Sequence, residues 1–260
     1  MNRLRVTLVQ MAIHDGKPDQ NRARALALLR DAPEADLYLL PELWTTGYAH
    51  AAWADAADRD TLITGAALQQ LADVRHVTIG GTMVSRTAEG RLANRFWLFG
   101  PGRAPVTYDK GHLFAPMLED RYLAAGPVRV RATVGEWTAA LSVCFDLRFP
   151  ELYRLDALAG AELFLVPSEW PAERADAMRL FARARAAENQ AYLVLCNRTG
   201  TAADGTVFGG GSLIVAPDGE IQVAAPAGEQ VLAATLDRSV IASLRKDQPL
   251  LAQRRPGLDW

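Results

Sequence analysis

The sequence predicts a mixed α/β protein with layered sheets, and three observations lead to this fold class. Short apolar runs typical of strands recur along the chain, and helical patterns separate several of them. Their order is β-α-β, then hairpin-like strands, then β-α-β-α-β. No stretch rich in proline, glycine or serine divides the 260 residues. We therefore predict one domain over residues 1–260, with a C-terminal tail from about residue 248.

The strands are predicted from apolar runs of strand length, some alternating and some continuous. They are Leu4–Val9, Asp36–Leu40, Val77–Val84, Asn94–Phe99, Trp137–Val143, Glu162–Val166, Tyr192–Cys196, Ser212–Val215 and Val231–Leu236. A further strand-like run, Val106–Asp109, precedes Lys110. Asp-Gly pairs at 204–205 and 218–219 are typical of hairpin turns, and they predict such turns between the late strands.

Helices are predicted where apolar residues recur at helical spacing. Asp19 is the expected N-cap of the first helix, which ends near Arg30. Pro150 and Glu151 suit a first helical turn, because proline lacks an N–H and an acidic side chain complements the helix dipole. The remaining predicted helices are Thr61–Ala72, Pro150–Ala159, Ala172–Gln190 and Ser239–Lys246.

Charge and composition exclude several classes of function. The net charge is −2 and no long block of one sign occurs, so electrostatics supports neither nucleic-acid nor anionic-membrane binding. No apolar segment is long enough to span a bilayer, and the N-terminus lacks the features of a signal peptide. Two cysteines outside any C-x-x-C pair make no disulfide framework. We predict a cytoplasmic protein.

Cys144 is the candidate nucleophile. It ends the apolar run Ala139–Val143, and a turn then leads to the helix that opens at Pro150. A sulfur near a helix N-terminus is expected to favour the thiolate, because backbone N–H groups there stabilise negative charge. The alternative is a small buried hydrophobe, which is our interpretation of Cys196 inside a strand.

Three other charged residues lie at or beyond strand-like runs: Glu42, Lys110 and Glu119. Each alone has the alternative of a solvated surface residue. Together with a thiol they supply the groups that a nucleophilic reaction needs. A glutamate among apolar neighbours can act as the base that a protonated thiol needs. A lysine ammonium and a backbone N–H can hold the oxyanion of acyl transfer. The set therefore indicates amide hydrolysis.

Three segments around these residues resemble, in the family's order, the signatures of the nitrilase superfamily of carbon–nitrogen hydrolases. They are Pro41-Glu-Leu-Trp-Thr-Thr-Gly-Tyr48, Tyr108-Asp-Lys-Gly-His-Leu-Phe114 and Val143-Cys-Phe-Asp-Leu-Arg-Phe-Pro-Glu151. Further similarities extend over nearly the whole chain, at Trp170-Pro171, Ala184–Tyr192, Cys196-Asn197 and Ser212–Gly219.

The resemblance implies a four-layer α-β-β-α sandwich with two mixed sheets. It implies Glu42 as general base, Lys110 as oxyanion stabiliser and Cys144 as nucleophile. Glu119 matches the family's second glutamate, with Leu123 and Gly126 where its motif places them, and would orient Lys110 or the leaving amine. The family often forms dimers, so we predict a homodimer and expect the tail residues Leu258 and Trp260 to dock at or near the subunit interface.

Cys-Phe-Asp-Leu-Arg-Phe-Pro after the strand resembles the omega-amidase branch, which hydrolyses 2-oxo acid amides such as 2-oxoglutaramate. The alternatives are an amidase of deaminated glutathione or of N-carbamoyl compounds, and a catalytically silent interaction protein. One departure is Ala177-Met178, where relatives of that branch often have His-Trp.

The predicted partners are a small amide substrate and water. Phe145 supplies an oxyanion N–H. Arg148 binds the substrate carboxylate or braces the turn through Asp146 or Glu151. Trp170 lines the pocket or packs in the core. The histidines lack ligand-like spacing and Phe208–Ser212 is no phosphate loop, so neither metal nor cofactor is predicted.

Overall fold

The computed structural model describes residues 2–255. The strands are β1 (Arg3–Gln10), β2 (Leu37–Leu39), β3 (Thr78–Arg86), β4 (Leu92–Phe99), β5 (Val106–Asp109), β6 (Arg131–Val134), β7 (Trp137–Leu141), β8 (Leu163–Ser168), β9 (Tyr192–Asn197), β10 (Thr199–Thr201), β11 (Val207–Gly209), β12 (Leu213–Val215), β13 (Ile221–Ala224) and β14 (Gln230–Asp237). The helices are α1 (Pro18–Asp31), α2 (Trp53–Asp55), α3 (Thr61–Arg75), α4 (Glu119–Tyr122), α5 (Pro150–Leu158), α6 (Ala175–Asn189) and α7 (Arg238–Asp247). A π-helical turn, Ala56–Asp60, joins α2 to α3.

Two six-stranded mixed sheets form the centre of the molecule. The first has the order β14-β1-β2-β3-β4-β5, and the second has the order β13-β12-β9-β8-β7-β6. In each sheet the three central strands are parallel and the outer strands are antiparallel. Strands β10 and β11 form a separate hairpin. The parallel strands of each sheet therefore end at a common edge, where side chains from different segments can meet.

Alternating side chains of β2 and the residue after it show how the layers stack. Leu37 and Leu39 belong to the core between the two sheets, whereas Tyr38 and Leu40 belong to the cluster that includes residues of α1 and α3. Residues of α5 and α6 cover the second sheet. Since successive side chains of a strand point to opposite faces, this pattern describes a four-layer α-β-β-α sandwich, and it confirms the predicted fold class.

Most predicted elements lie within a few residues of their predicted bounds, and both Asp-Gly turns join antiparallel strand pairs. The predicted N-cap is wrong: α1 begins at Pro18 after Lys17, and Asp19 lies in its first turn. The four-residue strand β6 was not predicted, because two of its side chains are exposed and its apolar signal is weak. The segment Ala172–Arg174 is a separate 3₁₀ turn before α6.

None of the helices within residues 2–255 is long and apolar enough to cross a membrane. The cytoplasmic location and the single domain stay predictions from the sequence. Leu258 and Trp260 lie outside the described residues.

Candidate active site

Cys144 lies at a strained turn just beyond strand β7. Its φ is +46°, a left-handed conformation that residues other than glycine rarely adopt, and it opens the 3₁₀ turn Cys144–Arg148. Such a conformation costs about 1–3 kcal/mol and persists only where surrounding contacts enforce it. The turn therefore needs rigid support from neighbouring segments.

Asp146 supplies much of that support. Its buried carboxylate accepts hydrogen bonds from the Val143 N–H at 2.9 Å, the Tyr108 hydroxyl at 2.9 Å and the His112 N–H at 2.9 Å. His112 also places Nδ1 2.8 Å from Asp146 and stacks on Phe149. The turn that carries Cys144 is thus tied to the segment after β5.

Arg185 of α6 braces the other end of the turn. Its guanidinium donates to the carbonyl oxygens of Leu147 at 3.0 Å and Arg148 at 3.2 Å, and it pairs with Glu188 at 2.9 Å. The Arg185–Glu188 pair is therefore more than a helix-surface contact, because the same arginine satisfies two carbonyl groups of the turn.

Glu42, Lys110 and Glu119 form one buried cluster, and all three side chains are 0% exposed. Lys110 Nζ lies 2.8 Å from Glu42 Oε1 and 2.8 Å from both oxygens of Glu119. Gly126 passes directly beside this strand end: its N–H donates to the Lys110 carbonyl, and a Cβ there would lie 2.0 Å from the Asp109 carbonyl oxygen. Only glycine fits that approach.

Neutral donors complete the hydrogen bonds of the two carboxylates. The Tyr48 hydroxyl lies 2.8 Å from Glu119 Oε1 and 3.2 Å from Glu42 Oε1. The Asn94 amide donates to Glu42 at 2.8 Å, and the Phe114 N–H donates to Glu119 Oε2 at 2.6 Å. The two carboxylates thus have fixed positions on either side of the lysine.

Burial dominates the electrostatics of this cluster. It raises the pKa of Glu42, an effect that the charge of Glu119 increases and that of Lys110 opposes. For Lys110, burial lowers the pKa, but Glu119 and Glu42 outweigh it and the net pKa is well above its usual value. Burial and Glu119 likewise raise the pKa of Tyr48. At neutral pH the site therefore holds an ammonium and a phenol beside a carboxyl of enhanced basicity.

The thiol of Cys144 and the carboxyl group of Glu42 are close enough to influence each other's pKa. Burial raises the pKa of Cys144 well above its usual value, and the charge of Glu42 raises it further, while Lys110 lowers it. The expectation that the turn itself favours a thiolate is therefore wrong. The sulfur is protonated at rest, and Glu42 is a neighbouring carboxyl group that can accept its proton.

A narrow cavity of about 20 Å³ opens above Cys144. Its lining includes three aromatic side chains and two guanidinium groups, and consists of Phe114, Cys144, Phe145, Arg148, Glu169, Trp170, Pro171 and Arg174. A wider, polar recess that includes Tyr48, His50, Asp204 and Thr206 shares Phe114, Pro171 and Arg174 with it. The cavity is thus narrow at the thiol and widens toward charged groups.

Bracing of the turn was one of two roles that the sequence allowed for Arg148, and the structure does not show it. Asp146 is occupied by other donors, and within residues 2–255 the Arg148 guanidinium has no ion-pair partner. It lies 5.0 Å from the Trp170 ring and 4.9 Å from the Phe181 ring instead. The aromatic rings hold this cation at the cavity wall while leaving its N–H donors for a ligand.

Trp170 has both of the roles that the sequence left open, lining the pocket and packing in the core. It lines the cavity and belongs to the main core cluster. Its indole Nε1 is buried without a hydrogen-bond partner in the described part of the chain. Met178 is fully buried in the core, and neither it nor Ala177 lines the cavity.

The structure brings Glu42, Lys110, Glu119 and Cys144 together, and it places Phe145, Arg148 and Trp170 around the same cavity. Sequence reasoning missed the roles of several other residues here: Tyr48, Asn94, His112, Asp146, Glu169 and Arg174. Tyr48, His112 and Asp146 lie inside the quoted motifs, which was the available signal. Residues 2–255 hold no cluster of three His, Cys, Asp or Glu side chains suited to a metal ion.

Comparisons with known proteins agree with this geometry. The carbon–nitrogen hydrolase family model matches residues 5–246. A 2-oxoglutaramate amidase of Bacillus subtilis is 31% identical over 97% of this chain and 98% of its own length. Omega-amidase YafV of Yersinia enterocolitica is 35% identical, covering 91% of this chain and 90% of its own.

Among solved structures, a CN-hydrolase superfamily protein from Xanthomonas campestris superposes with a TM-score of 0.91. The two sequences are 31% identical, and the match covers 98% of both chains.

Proposed function

The chain belongs to the carbon–nitrogen hydrolase family and is an amide-hydrolysing enzyme, and from this premise we propose that it is an omega-amidase acting on 2-oxo acid amides of the 2-oxoglutaramate type. The observation that carries the proposal is the buried cluster of Glu42, Lys110 and Glu119 beside Cys144, beneath a cavity whose Arg148 has no ion-pair partner in the described part of the chain. The names of the two bacterial relatives support the substrate class.

In the first step Glu42 takes the thiol proton while Cys144 attacks the amide carbon. The raised pKa of Glu42 makes it a stronger base than an exposed glutamate. General base catalysis of this kind contributes about 10²- to 10⁴-fold. A tetrahedral oxyanion then forms on the former carbonyl oxygen.

Lys110 and the N–H of Phe145 stabilise that oxyanion. Lys110 is held between two carboxylates, so its ammonium is already oriented when negative charge develops. Collapse of the intermediate expels ammonia, which takes its proton through Glu42 and leaves a thioester on Cys144. Glu42 then activates water, and the acid is released with the thiol restored.

Recognition of the substrate carboxylate falls to Arg148. Its guanidinium is fixed by Trp170 and Phe181 at the wall of the same cavity that exposes Cys144. The aromatic side chains of Phe145 and Trp170 pack against the methylene chain between the amide and the carboxylate. A ligand with an amide at one end and an anion at the other can present the amide to Cys144 and the anion to Arg148.

The test is ammonia release from 2-oxoglutaramate by purified protein. Cys144→Ala should abolish release and retain the fold, because the covalent route disappears. Cys196→Ala is the matched control, since Cys196 is buried in strand β9, outside the cavity lining. Appreciable turnover by folded Cys144→Ala protein would refute the mechanism.

A panel containing deaminated glutathione and an N-carbamoyl amino acid separates the substrate classes. Faster release from either compound would replace the omega-amidase proposal while leaving the amide chemistry intact. A silent protein would release no ammonia from any of them, and iodoacetamide would label Cys144 and Cys196 at equal, slow rates.

We also propose a homodimer through the outer face of α5 and α6. Leu155 and Leu158 on α5 are 48% and 40% exposed, and Leu180 on α6 is 65% exposed. Burial of such side chains against a second copy removes apolar surface from water. Light scattering should give twice the chain mass, and Leu180→Glu should give a monomer. Leu62→Glu, at a 69% exposed position on α3, should remain dimeric.

A further inference from the structure

A second buried ionic cluster lies beside the active site, and the mechanism above does not use it. Arg198 is completely buried, and its Nη1 lies 3.0 Å from Glu169 Oε2 and 3.2 Å from Asp15 Oδ1. Its Nη2 donates to the carbonyl oxygen of Ile13 at 2.6 Å, and the guanidinium lies 4.4 Å from the Phe208 ring. These contacts fix the guanidinium from several directions.

The backbone around Glu169 connects this cluster to the reacting groups. The Glu169 N–H donates to Glu42 Oε2 at 2.9 Å, and the same N–H lowers the pKa of the Cys144 thiol. The carbonyl oxygen of Ser168 accepts from the Arg198 N–H at 3.2 Å. One backbone N–H thus serves both the base and the nucleophile.

The carboxylate of Glu169 does not itself help the chemistry. Burial raises its pKa to about 8, and the charge of Glu42 adds to the rise while Arg198 opposes it. When it is ionised, its negative charge disfavours removal of a proton from the neighbouring thiol. The side chain of Glu169 instead anchors its own backbone, because its carboxyl group is held by Arg198.

We propose that Arg198 is a positioning residue, which holds Glu169 so that the Glu169 N–H faces Glu42 and Cys144. This inference rests on the proposed roles of Glu42 and Cys144. It predicts that loss of the Arg198 contact disturbs the ionisation of the thiol, although Arg198 is not a cavity-lining residue.

The test follows alkylation of Cys144 by iodoacetamide against pH in a Cys196→Ala background, with intact mass and peptide mapping as the readout. Arg198→Met should move the profile about one pH unit upward, which means about tenfold slower alkylation at a given pH on the rising limb. The turnover number for ammonia release should fall by a similar factor. Arg198→Lys, which keeps a charge and a donor, should shift the profile less.

Glu169→Gln is the matched control, because its amide oxygen still accepts from Arg198 while the negative charge is gone. It should leave the alkylation profile in place or move it to lower pH. If Arg198→Met loses its fold, Arg198→Met/Glu169→Gln removes one of the two carboxyl groups that lose their partner and should show the same upward shift.

Folded Arg198→Met or double-variant protein with a wild-type profile would overturn the positioning role. So would a shift of Arg198→Lys in the opposite direction, or an upward shift of Glu169→Gln equal to that of Arg198→Met. Failure of the underlying function looks different: wild-type protein would release no ammonia, or Glu42→Gln would alkylate as wild type does.

Discussion

Replacement of Lys110 by methionine removes the cation that lies 2.8 Å from both buried carboxylates. Methionine keeps much of the side-chain volume, so the change is chiefly one of charge. Loss of one partner of a buried ion pair destabilises a protein by about 3–5 kcal/mol, because the other charge stays buried without compensation. Here two carboxylates lose their partner. The loss is a large part of a typical unfolding free energy of about 5–15 kcal/mol.

The pKa of Glu42 determines how the stability loss of Lys110→Met changes with pH. A carboxyl whose folded pKa exceeds its unfolded pKa contributes stability at low pH, and that stability is lost as pH rises through the folded value. Burial already raises the pKa of Glu42, and Lys110 opposes the rise, so Lys110→Met raises it further. The deficit relative to wild type should therefore be larger at pH 7 than at lower pH, and it should shrink as pH falls toward about 4.3, the ordinary pKa of glutamate.

Urea denaturation of both proteins at pH 7 and pH 5 measures the deficit, with ammonia release measured in parallel. Stability should recover in part at pH 5, whereas activity should stay at least about 10²-fold below wild type at both pH values because an oxyanion donor is gone. Lys110→Met/Glu119→Gln should be more stable at pH 7 than Lys110→Met. A single variant as stable as wild type at both pH values would refute the electrostatic reasoning.

Two other predictions concern catalysis and recognition. Glu42→Gln should fold and bind substrate but form no thioester, because an amide cannot take the thiol proton; a normal burst of acyl-enzyme in intact-mass spectra would contradict this. Arg148→Met should raise KM for 2-oxoglutaramate by at least about tenfold, the equivalent of one lost charge-assisted hydrogen bond of about 1.5–3 kcal/mol, with kcat much less affected. Equal KM values for the two proteins would exclude Arg148 as the carboxylate site.

The elements of the fold were predictable because their signals are local. Apolar runs located β1, β2, β3 and the central strands of the second sheet, since burial on both faces leaves a continuous hydrophobic pattern. Strand β6 escaped because half of its side chains are exposed and its pattern is short. The start of α1 was placed wrongly because Asp19 resembles a cap, whereas Pro18 already satisfies the first helical turn.

The sequence by itself determined which side chains were candidates to meet, because Glu42, Lys110 and Cys144 each follow a strand-like run. Glu42 and Lys110 follow strands of the first sheet, and Cys144 follows a strand of the second. Tertiary structure alone decided their electrostatics, because the pKa of Cys144 depends on burial and on the Glu42 charge. It also decided which groups support the site. Asp146 with His112, and Arg198 with Glu169, join segments that are distant along the chain, and no local pattern reports such a contact.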